Sequence, residues 1–148
     1  MEDTMLTASA IMRYVEELED ASAAFYEKLA QKFAQGQDAF LGFAKESKKN
    51  KTHLVRTYQE TISDALEAMF SFEGLTLPDH DFDAALAEDI DFREAVEMAV
   101  EIEEKTSKLY VQIAEQAQSL LATIPRAFSR VAKTRRAREE TLQAMLNT

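Results

Sequence analysis

The sequence predicts an all-α protein: one four-helix bundle over residues 1–148, up-down in direction, with one long crossover between the second and third helices. Three observations lead there. Three Gly and two Pro in 148 residues are too few turn-formers for a sheet protein, while Ala, Leu, Glu and Lys are abundant helix formers. Apolar residues recur at alternating spacings of three and four, the period of a helix with one buried stripe. A motif in the first segment also returns in the third: Glu17, Glu19, Tyr26 and Ala30 reappear as Glu101, Glu103, Tyr110 and Ala114. Between them Leu18, Phe25 and Leu29 are matched in kind by Ile102, Leu109 and Ile113. The duplication implies two related helical hairpins.

The first helix is expected over about 5–33, with its seam at Ile11, Val15, Leu18, Ser22, Phe25, Leu29 and Phe33. Gly36 breaks that pattern, and Asp38 is a suitable N-cap for a second helix over 38–70. Its seam reads Phe40, Phe43, Ser47, Asn50, Leu54, Thr57 and Thr61, and turns polar in the middle. Residues 71–90, with Gly74, Pro78, His80 and several Asp, read as a connection that includes a short helix near 82–87. Its length suits a crossover along the bundle rather than a tight turn. Asp91 followed by Glu94 is a capping-box start for a third helix over 91–118. After a short joint, Pro125 fits the first turn of a fourth helix over 124–147. Its seam, Phe128, Val131, Arg135, Arg138, Leu142 and Met145, is again polar at its centre.

With no cysteine, the chain has no disulfides, thiol catalysis, iron–sulfur clusters or cysteine-bound zinc. No Gly-rich phosphate loop or nucleophile elbow is visible. A formal net charge of −10 opposes general binding to nucleic acid or anionic membranes, so neither partner is expected. The acidic start of the chain and the lack of a long apolar run predict a cytoplasmic protein with no signal or spanning segment. The charge is uneven. Lys45, Lys48, Lys49, Lys51 and Arg56 form one basic segment, and Arg126, Arg130, Lys133, Arg135, Arg136 and Arg138 another.

Glu19 and Glu103 fall beside the apolar stripes of their helices. A carboxylate on a core-facing seam needs a counter-charge, a proton or a metal. At this point the residues resemble the ferritin-like superfamily, its rubrerythrin-like branch above all. In that family the first and third helices carry a Glu seven residues before a Tyr, as Glu19…Tyr26 and Glu103…Tyr110 do here. The second and fourth carry a Phe, an apolar-Ala pair, then Glu-x-x-His, supplying ligands to two irons. The lead-ins Phe40…Phe43-Ala44 and Phe128…Val131-Ala132 match. The ligand positions that the resemblance implies hold Ser47, Asn50, Arg135 and Arg138 instead. The resemblance therefore implies the family architecture, a homodimer, and a vestigial di-iron site made of Glu19, Ser47, Asn50, Glu103, Arg135 and Arg138 with Tyr26 and Tyr110 beside it.

Two readings of that site are open. In the first, Arg135 and Arg138 neutralise Glu19 and Glu103, since guanidinium stays charged and pairs bidentately with carboxylate. No cofactor and no catalytic residue are then expected, and the chain is a non-catalytic binding or scaffold module. In the second, Glu19 and Glu103, joined by Glu46 or His53, hold iron or manganese in a nonstandard set. The chain is then a metal-binding oxidoreductase, or a protein that handles peroxide or iron. Tyr26 and Tyr110 read as core aromatics with satisfied hydroxyls, the methionines as gap-fillers, and His80 as solvated. If the second and fourth helices are neighbours, their basic segments share a face, fit for an acidic protein or an anion.

Overall fold

The computed structural model describes residues 5–61, 71–75, 77, 78, 80, 82, 86–117 and 123–147. In chain order these form β1 (Met5–Thr7), α1 (Ala8–Lys32), α2 (Gln37–Thr61), β2 (Ser71–Glu73), α3 (Phe92–Gln116) and α4 (Thr123–Leu146). The four helices make a bundle. The expected continuation of the second helix over 62–70, the last residue of the expected third helix, 118, and 119–122 of the joint after it lie outside the described residues; Thr123, expected in that joint, already belongs to the fourth helix. Also outside them are 83–85 of the short helix expected near 82–87; Phe82 is helical, whereas Leu86 and Ala87 are not.

Two element starts differ from expectation. The first helix begins at Ala8 rather than near residue 5, because Thr7 caps it by accepting from the Ala10 amide at 3.1 Å. Met5–Thr7 instead pairs antiparallel with Ser71–Glu73, Leu6 opposite Phe72. Extended backbone ahead of a cap needs partners, and the incoming crossover supplies them. The second helix begins at Gln37, so Asp38 lies inside its first turn rather than at the cap. There its charge still favours the positive end of the helix dipole. Gly36, at φ +76°, makes the reversal; a Cβ there would also come within 3.3 Å of the Phe40 ring. At the third helix the capping box forms: the Glu94 amide donates to Asp91 Oδ1 at 2.8 Å, and the Asp91 amide to Glu94 Oε1 at 3.1 Å.

Contacts across the bundle fix the helix directions. Lys48 meets Glu27 and Lys51 meets Asp20, so α1 and α2 run antiparallel. Arg93 Nη1 donates to the Leu146 carbonyl while Tyr110 packs on Phe128, so α3 and α4 do likewise. Tyr26 reaches Glu103 and Tyr110 reaches Glu19, which makes α1 and α3 antiparallel as well. The fourth side joins α2 to α4 through Thr61 with Thr123 and Asn50 with Thr134.

That arrangement obliges the chain to travel the length of the bundle between Thr61 and Phe92. Its described residues track α1. Phe72 is buried near the start of α1, Tyr14 donates to the Pro78 carbonyl, and His80 Nε2 lies 3.4 Å from Glu17 Oε1. His80 is thus half-buried against Glu17 and the Tyr14 ring, not simply solvated as expected. Farther on, Phe82 enters the core edge-on to Phe25, and Lys32 Nζ donates to the Glu88 carbonyl. The core itself collects the predicted seams, including Ile11, Val15, Leu18, Phe25, Leu29, Phe40, Leu54, Leu109, Ile113, Val131 and Leu142.

Candidate functional site: a buried arginine–glutamate–tyrosine network

Glu19 and Glu103 stand on facing seams of α1 and α3, both fully buried. Each accepts from the tyrosine of the other helix: Tyr26 from α1 donates to Glu103 Oε2 and Tyr110 from α3 to Glu19 Oε2, both at 2.5 Å. The duplicated motif is therefore reciprocal in space. Antiparallel packing brings the Tyr of one copy, two turns beyond its own Glu, level with the Glu of the other.

The cations break the symmetry, because both come from α4. Arg135 Nη1 lies 2.9 Å from each oxygen of Glu103, and its Nη2 donates to Ser22 Oγ at 3.0 Å. Nη2 is also 2.9 Å from Glu19 Oε1. That oxygen nonetheless lacks a well-directed hydrogen bond, so the contact is an ion pair whose N–H points elsewhere. Arg138 sends Nε to Glu46 Oε1 at 2.6 Å and holds Nη1 3.5 Å from Glu103 Oε2. Its guanidinium lies over the rings of Tyr26 and Phe43, 5.8 and 5.7 Å from their centroids, a cation–π arrangement. Glu103 thus receives two arginines and a tyrosine, and Glu19 one of each.

Burial works against the charge of Arg135, but Glu103, Glu19 and Tyr110 outweigh it and hold its pKa well above the ordinary value. Burial, and then the neighbouring carboxylate, pushes Tyr26 and Tyr110 well above the usual phenol range, with the arginines only partly opposing the rise. Both phenols are accordingly fixed as donors to carboxylate. Such charge-assisted bonds are stronger than neutral ones in a medium of low dielectric.

The α2 positions behave differently. Ser47 is buried, but its hydroxyl has no partner among the described residues. Asn50 turns to the α2–α4 seam, where Nδ2 donates to Thr134 Oγ1 at 3.2 Å and Thr134 in turn donates to the Val131 carbonyl. Among the described residues neither side chain hydrogen-bonds to Glu19 or Glu103. Glu46, considered as a metal ligand, is half-exposed and committed to Arg138. His53, the other candidate, is not brought to the carboxylates. It is half-buried on the outer side of α2, where burial first, then Arg130 and Arg56, lower its pKa. Its position one turn beyond Asn50 carries it off the seam and into the basic surface.

The basic face is smaller than the sequence predicts. Arg135 and Arg138, which the sequence groups with that face, are 0% and 1% exposed and belong to the core. Lys48 and Lys51 lean to Glu27 and Asp20 of α1. Ser22 is a site residue that sequence reasoning left among the seam positions. The signal was there, since Ser22 lies one turn beyond Glu19 and its repeat counterpart is the buried Thr106.

Among the described residues, no three His, Asp or Glu gather as metal ligands, and no helix is long and apolar enough to cross a membrane. The guanidinium of Arg135 lies within 2.9 Å of both Glu19 and Glu103. No family model matches the chain, and no curated protein or solved structure matches it either. The functional reading therefore rests on geometry and residue chemistry.

Proposed function

We propose that this chain is a ferritin-like bundle of rubrerythrin-like ancestry working as a non-catalytic binding or scaffold module, its centre held by an ion-pair network instead of two irons. The observation that supports this is Arg135, wholly buried and in contact with both Glu19 and Glu103. A guanidinium supplies positive charge between two carboxylates without a bound cation, and its fixed charge makes it a poor neighbour for a second one. Tyr26 and Tyr110 donate to the carboxylate oxygens that a metal would otherwise draw on. The described direction of the helices and the crossover along α1 are compatible with the ferritin-like arrangement. A cytoplasmic setting and a homodimer belong to the same reading, by resemblance.

Metal analysis tests it. Protein purified without added metal is expected to carry only traces, and to gain no bound equivalent on incubation with ferrous iron or manganese followed by gel filtration. Near-stoichiometric iron, manganese or zinc would overturn the reading in favour of a metal-binding oxidoreductase.

A further inference from the structure

One surface of the bundle gathers exposed cations. On the outer side of α2, Lys45, Lys48, Lys49, Thr52, His53 and Arg56 line one open depression. Across the α2–α4 seam, Arg126, Arg130 and Lys133 are exposed as well. Because α2 and α4 run antiparallel, with Asn50 level with Thr134 and Thr61 with Thr123, the two rows lie side by side. Burial first, then Arg130 of α4 and Arg56 of α2, lower the pKa of His53, so one arginine from each row acts on the same imidazole. Among the described residues Lys45, Lys49, Arg56, Arg126, Arg130 and Lys133 form no ion pair, whereas Lys48 and Lys51 do. Such a strip on a chain of net charge −10 is local and oriented.

At one end the strip changes character. Leu41, 48% exposed, is the exposed large hydrophobic residue of the described chain, one turn before Lys45. Beside it a Cβ on Gly42 would meet nothing within 4 Å, so a partner backbone can approach closely there. Leu41, Lys45, Lys49 and Arg56 then read along one face of α2 as an apolar anchor followed by cations. The face spans roughly 22 Å at helical rise. A sugar-phosphate polymer would meet the cations and leave Leu41 unused. A helix presenting carboxylates at successive turns and an apolar side chain at one end would use both.

We propose that the outer face of α2, beside its seam with α4, is a docking site for an acidic amphipathic helix of another protein, its carboxylates over Lys45, Lys49, Arg56 and Arg130 and its apolar end on Leu41. This names the partner class for the binding module proposed above and rests on that reading. The negative charge elsewhere on the chain would repel the same helix in other orientations, so the strip sets register as well as attraction.

The test uses the full chain and a fluorescent helical peptide with Glu at positions one, five, eight and twelve and Leu one turn from the end that meets Leu41. Controls are a scrambled peptide of the same composition and a single-stranded oligodeoxynucleotide of equal charge. The expected result is at least about tenfold tighter binding of the patterned peptide than of the scrambled one, a tenfold step being about 1.4 kcal/mol. Binding should be lost in the exposed-site variant Lys45→Glu/Lys49→Glu/Arg130→Glu, whose helicity is checked by circular dichroism, and weakened several-fold by Leu41→Ala. Equal binding of both peptides, oligonucleotide binding as tight as the patterned peptide, or no binding at low salt would overturn the proposal. So would a charge-reversed variant that stays helical and binds unchanged. Metal content measured on the same preparation reports on the core separately, so failure of one reading is distinguishable from failure of the other.

Discussion

Arg135 Nη1 sits 2.9 Å from each carboxylate oxygen of Glu103, and neither side chain has any exposed surface. A buried pair of this kind is weak evidence for net stability, since taking two ions out of water offsets most of their attraction. Removing one partner is another matter. Arg135→Ala would leave Glu19 and Glu103 facing each other in the core, and is expected to cost about 3–5 kcal/mol in urea denaturation. The triple variant Arg135→Met/Glu19→Gln/Glu103→Gln should recover much of that loss. If it unfolds as readily as Arg135→Ala, the directed hydrogen bonds of Arg135 to Glu103 and Ser22, rather than uncompensated charge or lost volume, are what Arg135 contributes.

The two tyrosines make the fold sensitive to alkali. Their folded pKa values are raised above that of a free phenol, so above about pH 10 the unfolded chain releases protons that the folded chain keeps. Stability should therefore be intact below that pH and fall as pH rises beyond it. Phenolate absorbance of Tyr26 and Tyr110 is expected to appear together with the loss of helical dichroism. In Tyr26→Phe/Tyr110→Phe the coincident part of the absorbance should disappear; its persistence would contradict the assignment.

At the other end of the scale, His53 titrates below its ordinary value. Both states are neutral well above about pH 6.5. As pH falls through that value, the unfolded chain takes up a proton before the folded one does, so stability drops until the folded pKa is passed. His53→Gln should flatten the fall in stability that sets in as pH drops below about 6.5. An unchanged slope would place the pH dependence elsewhere.

Phe82 anchors the crossover by packing on Phe25, ring centroids 5.6 Å apart. Phe82→Ala should leave a cavity beneath the connection and cost about 3 kcal/mol. Hydrogen exchange would then rise first along the face of α1 that the crossover covers. A loss below about 0.5 kcal/mol, the range of ordinary surface substitutions, would mean that Phe82 is dispensable to the core.

Much of this protein was legible in its sequence. Seam spacing located the four helices because burial of one helical face repeats with a period close to the spacing itself, and the capping box at Asp91 and Glu94 marked a start that local chemistry alone enforces. The recurrence of Glu19 and Tyr26 as Glu103 and Tyr110 named the centre of the bundle. Local pattern could not show that Thr7 caps the first helix, since the pairing of Met5–Thr7 with Ser71–Glu73 joins residues distant in sequence.

The division is sharpest at the arginines. Sequence determined that Arg135 and Arg138 lie on the seam of α4, a matter of helical period. Only the tertiary structure decided which carboxylate each meets, because that depends on which helices are neighbours. With α4 packed against α3, Glu103 takes both arginines, Arg138 also reaches Glu46 of α2, and Asn50 turns aside to Thr134. The same packing takes these two charges from the basic surface and leaves Lys45, Lys49, Arg56, Arg126, Arg130 and Lys133 on it. A charge counted along a chain becomes a core ion pair or a docking strip according to the helix that comes to lie beside it.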